Sequence, residues 1–333
     1  MRSILVALGA IALALILASN SHASTGPIPL NCNRACLEGM VNQYLAALAA
    51  HDPKRLPLSA DVKYTENDQV LELGDGFWKT VEGPGNYKHI FVDSEAGQVV
   101  FMGTMHEAGK PLLMSLRLRI QLGRITEVES MYFRQGGGGP ANIAALDAPG
   151  YKPENMWFKT LPPAQRLSRP EMISIADAYF SGLEKNDGKG VNGTGTYPFT
   201  DDCDRIENGS HTTNVPRPPN EPKDAINGFA LDCMSQFKLG YYFVVQSIHN
   251  RRYPLVDAER GVVLANVVFD QGTVKSGILS DGRPYTFGLF NSPSSILVTE
   301  AFLIENAKIR RVEMIGPSAF YHLNSAWGGI SGH

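Results

Sequence analysis

The chain has no excess of basic charge: 30 Lys and Arg face 33 Asp and Glu in 333 residues. Nothing in that balance would neutralise a run of phosphates, so nucleic-acid binding is not expected. Histidine is limited to eight residues, and His89, His106, His211 and His249 stand isolated, at no metal-ligand spacing. Sequence spacing therefore predicts no metal and no other cofactor, and leaves open only ligands brought together by folding. The sequence also lacks a G-x-S-x-G elbow, a P-loop, an H-E-x-x-H pair and a dinucleotide-binding glycine fingerprint. The four glycines Gly136 to Gly139 follow Gln135 and open no helix, so they read as connector and not as a phosphate cradle. Past the N-terminus no stretch reaches the ~18 apolar residues that span a bilayer, so no membrane partner is expected.

What is present begins at the N-terminus. Arg2 precedes an apolar run from Ile4 to Ala18, and Ser21-His22-Ala23 offers small residues at −3 and −1 before Ser24. This is the pattern of a signal peptide over residues 1–23, cleaved after Ala23, which predicts a secreted or periplasmic protein. An oxidising compartment favours disulfides over thiolate catalysis. Of the three connectivities open to Cys32, Cys36, Cys203 and Cys233, local pairing (32–36 and 203–233) is the simplest.

The chain repeats itself. Val92-Asp93-Ser94-Glu95-Ala96-Gly97 and Val256-Asp257-Ala258-Glu259-Arg260-Gly261 both spell V-D-x-E-x-G and then enter an apolar stretch. Tyr44, Leu48 and Asp52 match Tyr179, Leu183 and Asp187; Glu66-Asn67 matches Glu207-Asn208; Ile125, Val128 and Glu129 match Ile309, Val312 and Glu313. The order is the same in both halves and the offset grows along the chain, so the second copy carries insertions. We expect a first domain over 32–135, a Gly/Pro-rich connector over 136–167 and a second domain over 168–327. Ser168-Arg169-Pro170-Glu171 opens the second copy as a capping box with proline in the first turn. Each copy starts with an amphipathic helix, carrying Leu37, Val41, Tyr44 and Leu48 in one and Met172, Ala176, Tyr179 and Leu183 in the other. Alternating stretches follow, such as Leu116, Leu118, Ile120 and Leu122 against Arg117, Arg119 and Gln121. A helix followed by antiparallel strands is an α+β pattern.

From about Cys36 to Arg134, and again from about Met172 to Gly316, this element order and the duplicated segments resemble the nuclear-transport-factor-2-like superfamily. Ketosteroid isomerase, scytalone dehydratase and SnoaL-type polyketide cyclases share that fold. The resemblance implies two tandem cone-shaped, curved antiparallel sheets, each wrapped on N-terminal helices around a mostly apolar cavity. Thr65-Glu66-Asn67, Leu73-Gly74-Asp75-Gly76-Phe77-Trp78 and Cys203-Asp204-Arg205-Ile206-Glu207-Asn208-Gly209 also resemble a secreted tandem family of uncharacterised domains. Some secreted proteins of that kind resemble single-component enzymes that cleave lignin-type aryl ethers. The resemblance thus implies a cofactor-independent lyase or ether-cleaving enzyme that uses general acid–base chemistry on a small aromatic or apolar molecule. A non-catalytic ligand-binding or interaction protein of the same fold is the alternative. The sheets of such folds pair commonly, so an intramolecular pseudo-dimer is expected, with homo-oligomers open.

In an apolar cavity the low dielectric shifts side-chain pKa values, so polar residues on otherwise apolar strands are the candidates. Glu66 shares a strand face with Tyr64; His106 ends the strand Val99 to Met105; His249 precedes a strand beside Arg251 and Arg252; Glu300 interrupts the apolar face of Val298 and Phe302. These four are the candidate acids and bases. Tyr64, Asn67, Trp78, Arg119, Arg205, Glu207, Asn208, Tyr242 and Arg252 are the candidate substrate-binding residues. Several have a plainer reading: a hairpin residue bonding backbone amides for Glu66, a solvated strand-end residue for His106, a charge blocking edge aggregation for Glu300, a basic surface turn for His249, a solvated sheet face for Arg119.

Overall fold

A computed structural model describes residues 32–136, 141–241, 243–288 and 292–328. The signal-peptide segment and Tyr242 lie outside the described residues. The first helix, α1 (Arg34–Ala49), is N-capped by Asn33, whose side chain accepts from the Cys36 amide at 3.0 Å. Its buried stripe includes Leu37, Val41, Tyr44 and Leu48. Six strands follow: β1 (Leu58–Glu66), β2 (Gln69–Val70), β3 (Val81–Asp93), β4 (Gln98–Glu107), β5 (Lys110–Gln121) and β6 (Arg124–Phe133). They form one sheet in the order β2-β1-β6-β5-β4-β3.

From residue 141 on, the connector is structured. It holds a helical turn, α2 (Ile143–Leu146), and buries Ile143, Leu146, Trp157 and Leu161. Helix α3 (Arg169–Leu183) then starts on the expected capping box, with Ser168 and Glu171 bonding reciprocally. After it come β7 (Phe199–Glu207), β8 (Ser210–His211), the short helix α4 (Cys233–Lys238), β9 (Val245–Asp257), β10 (Val262–Gln271), the hairpin β11 (Ser276–Ile278) and β12 (Pro284–Thr286), β13 (Ser294–Glu305), β14 (Lys308–Ile315) and β15 (Ser318–Ala319). The second sheet runs β8-β7-β14-β13-β10-β9, with β15 on β13. This is the strand order of the first sheet with two insertions, one between β8 and β9 and one between β10 and β13.

The fold is therefore α+β and sheet-rich, with two curved sheets and few helices. One expectation needs correcting: the sheets are not wholly antiparallel. β1 runs parallel to β6, and β7 parallel to β14, because the strand that opens each copy returns beside the strand that closes it. The disulfides are local, Cys32–Cys36 and Cys203–Cys233. Such bonds fit a compartment outside the cytoplasm. Among the described residues, no helix is long and apolar enough to cross a membrane.

The sheets pack on one another through their outer faces. Tyr87, Phe91, Val100, Met102 and Phe133 of the first meet Leu255, Leu264, Ala301, Leu303 and Ile315 of the second, with Trp157 wedged among them. The polar contacts across this seam come in exchanged pairs. Arg34, at the start of α1, reaches Asp257 at 2.9 Å, and Arg169, at the start of α3, reaches Asp93 at 2.6 Å. Glu129 of β6 takes Arg252 of β9 at 2.5 Å, while Glu313 of β14 takes His89 of β3 at 2.8 Å. The residues that exchange partners occupy matching positions in the two copies.

Candidate active site

The second sheet encloses a cavity of about 470 Å³. Its walls are mostly apolar and aromatic: Phe229, Phe237, Tyr241, Phe269, Tyr285, Phe287, Ile296 and Met314. Five of these eight come from the two insertions, so the cavity owes much of its wall to segments the first copy lacks. The Cys203–Cys233 disulfide fixes the first insertion, tying the first residue of α4 to β7. Asp232 caps that helix, accepting from the Ser235 amide at 2.8 Å, which aims Gln236 and Phe237 inward.

Four polar side chains converge on the floor. Glu300 stands in the middle of β13, opposite Ala265 of β10 and Met314 of β14. It is fully buried, and its Oε2 has no hydrogen-bond partner. Burial pushes its carboxyl up to about 8; Arg205 works against that shift, Glu207 adds to it, and the Tyr179 hydroxyl bonds the charged form. Arg205, on β7, donates to Gln236 Oε1 at 2.5 Å and to Glu207. Its guanidinium lies 5.6 Å from the Tyr179 ring centre and 5.5 Å from that of Phe237. Burial disfavours its charge, but Tyr179, Glu207 and Glu300 more than restore it, so its pKa is raised. Gln236 spends its amide nitrogen on the Thr212 and Gly228 carbonyls, at 2.7 and 2.9 Å, which fixes its oxygen toward Arg205. The result is an Arg205–Glu207 ion pair beside a buried, proton-retaining carboxyl, in a pocket whose other surfaces are largely apolar.

The equivalent space in the first copy is filled. Register pairs Glu207 with Met314 and Met314 with Glu300; it likewise pairs Glu66 with Ser130 and Ser130 with Leu116. Leu116 thus stands where Glu300 stands in the second copy, with Phe101 beside it in place of Ala265. Tyr64 takes the place of Arg205. Phe77, Trp78, Phe101, Leu116 and Tyr132 are all buried there in one apolar cluster.

Of the residues singled out in the sequence, Arg205, Glu207 and Glu300 meet in the cavity. Among the described residues, the others do not join them. Glu66 accepts from the Tyr64 hydroxyl at 3.0 Å and the Phe77 amide at 2.9 Å, inside the filled first copy. Trp78 is core. Asn67 and Asn208 occupy left-handed turn positions and accept from the Tyr132 and Gly316 amides. His106 pairs with Asp147 at 2.7 Å, half-exposed. Arg119 pairs with Glu127 at 2.8 Å, and Arg252 crosses the seam to Glu129. His249 is buried away from the cavity, 3.3 Å from Asp270. Sequence reading missed Tyr179, taken only as a core stripe residue, and Gln236. A tyrosine in a helix stripe gives no sign that its hydroxyl faces a carboxyl.

A family profile described as a domain of unknown function (DUF8021) matches residues 165–316. That span contains α3, the second sheet and the cavity. No curated protein matches the chain. Among solved structures, a de novo designed protein with a curved β-sheet is 18% identical over 31% of this chain and 88% of its own, with a TM-score of 0.26. AclR of Streptomyces galilaeus, a proposed hydroxylase, is 15% identical over 35% of this chain and 96% of its own, with a TM-score of 0.27. The lining of the cavity falls within the matched span.

Proposed function

We propose that the second copy is a cofactor-independent acid–base enzyme, a lyase that cleaves an ether in a small aromatic molecule, working outside the cytoplasm. The observation that carries this reading is Glu300: a buried carboxyl beside an arginine–glutamate pair, with one oxygen free, at the end of an aromatic-walled cavity. Paired titratable groups in unlike environments divide acid and base roles. The repeated helix-first topology, with its parallel closing pair, supports the cone-type fold that the sequence resembles.

The roles follow from the surroundings. Glu207, ion-paired with Arg205, takes a proton from the carbon adjacent to the one bearing the ether oxygen. The electron pair left behind forms a carbon–carbon double bond, and the carbon–oxygen bond breaks. Arg205 stabilises the departing aryloxide, and Glu300, which keeps its proton at neutral pH, supplies it to that oxygen. Exchange with water restores both carboxyls. Tyr179 is a positioning residue for Glu300.

The unpartnered Glu300 Oε2 and Arg205 Nε would equally hold the hydroxyl or carbonyl of a ligand that is merely stored. That is the second reading, and the same experiment separates the two. The mature protein, without added cofactor, is incubated with aryl ethers and hydroxylated aromatics; products are identified by mass spectrometry and binding is measured by calorimetry for wild type, Glu300→Gln, and Glu66→Gln as a first-copy control. The proposal expects turnover in wild type and in Glu66→Gln, and none in Glu300→Gln. Binding without turnover in all three leaves a carrier; no binding at all removes both readings.

A further inference from the structure

Away from the cavity, the C-terminal segment brings a histidine against the second sheet. His322 Nδ1 lies 2.7 Å from Asp270 Oδ2, at the end of β10, and His249 Nε2 on β9 lies 3.3 Å from the same oxygen. One ligand atom from each of the three residues fits within 4.8 Å of the others. Two histidines and one carboxylate form a donor set for divalent transition metals. They are far apart in sequence, so spacing gives no hint of them.

Three features say more than that the residues are neighbours. First, His249 is 95% buried, and its Nε2 has no hydrogen-bond partner. Second, its other ring nitrogen is committed: Nδ1 lies 2.8 Å from Asn250 Oδ1. That oxygen also accepts from the Ser325 amide, which identifies it as the acceptor and makes His249 Nδ1 the donor. Nε2 is then the ring nitrogen turned toward Asp270, oriented by the outer-shell bond at Nδ1 as in metal-ligating histidines. Third, Asp270 Oδ1 accepts from Ser295 Oγ at 2.6 Å and the His322 amide at 3.2 Å, leaving Oδ2 for the ion. Bonds of roughly 2.0–2.1 Å around a tetrahedral ion set its donors roughly 3.4 Å apart. The His249–Asp270 separation already matches. His322 completes the set, and its side chain is largely exposed and can adjust to do so.

We propose that His249, Asp270 and His322 bind one divalent transition-metal ion of the zinc class, which fastens the C-terminal segment across the two sheets. Three protein ligands leave a fourth position for water. The segment it would fasten reaches the first sheet directly: the Ser325 hydroxyl and Ala326 amide donate to Asp68, and the Trp327 indole donates to Thr65 at 2.8 Å. The ion would therefore act as a clasp between the two copies, independently of whatever the cavity does.

The test uses tag-free mature protein stripped with a chelator and titrated with Zn2+ by calorimetry and with Co2+ by visible absorption. One equivalent should bind, and Zn2+ should raise the melting temperature. His322→Ala, a change at an exposed side chain that leaves the fold intact, should abolish both effects. Asn250→Ala should weaken binding by about 10- to 100-fold, as loss of an outer-shell partner does. Absence of saturable binding, or binding that survives both His322→Ala and His249→Ala, would overturn the site. Binding that His322→Ala abolishes, with no change in melting temperature in wild type, would overturn the clasp.

Discussion

Replacing Glu300 with glutamine isolates the energetic consequence of burying that carboxyl. Glutamine keeps the shape and removes the titration. In the folded chain the carboxyl holds its proton up to about 8, whereas its ordinary value is 4.5. The fold therefore favours the protonated form. The stability this gives is fully present below about 4.5 and drains away as the pH rises, because the unfolded chain ionises first. The loss runs at about 1.4 kcal/mol for each pH unit between those two values, on the order of 5 kcal/mol in all. Glu300→Gln does not suffer it. Urea unfolding with the disulfides intact, followed by circular dichroism from pH 4.5 to 9, should show wild type and variant nearly equal at the acid end. The variant should gain steadily on wild type up to about pH 8 and then run level with that lead. A difference that stays constant with pH, or a wild type that gains on the variant as pH rises, would show that burial does not hold the proton on Glu300.

Other expectations follow from the same structure. If Glu300 donates its proton in the proposed reaction, turnover measured against pH should fall as the pH passes about 8, and this descending limb should be missing from any residual activity of Glu300→Gln. Replacing Cys203 and Cys233 together by serine should cost about 3–4 kcal/mol from the loop the disulfide closes. It should also expose residues 212–244 to proteolysis and weaken binding of aromatic ligands, since that insertion carries Gln236 and Phe237. Glu129 is buried between Arg117 and Arg252; burial raises its pKa but the two guanidinium groups outweigh that and hold it below the usual carboxylate range. Glu129→Gln leaves both arginines short of their counter-charge and should cost about 3–5 kcal/mol in unfolding experiments.

Much of the architecture was legible because it rests on local, repeated signals. Val-Asp-x-Glu-x-Gly announces a hairpin, and in both copies the aspartate accepts the backbone amide three residues on, from Ala96 and from Arg260. The capping box at Ser168 and the helix stripes also depend only on near neighbours. The parallel pairing of β1 with β6 and of β7 with β14 was not legible, because it joins the two ends of each copy and no pattern inside a strand records its partner's direction. Arg117 shows the same limit. It alternates with leucines as a solvated residue would, yet it is buried, because the second sheet covers that face and supplies Arg252 to share Glu129. In the cavity, Glu300 stood out as a charge on an apolar strand, and Arg205 and Glu207 lay in the repeated segment. What sequence could not show is that the first copy had closed its own cavity with Leu116 and Phe101. Glu66 and Glu207 look alike until the register places a leucine above one and a glutamate above the other.

In the proposed enzyme, Glu300 carries a proton at neutral pH inside a cavity that receives a small aromatic molecule. Carbon-13 NMR of glutamate-labelled protein, with the Glu300 carboxyl signal assigned by its loss in Glu300→Gln, tests this directly. The titration midpoint should lie near 8, and the signal should be displaced when an aryl ether is added. A midpoint in the ordinary glutamate range, with a signal indifferent to the ligand, would contradict it.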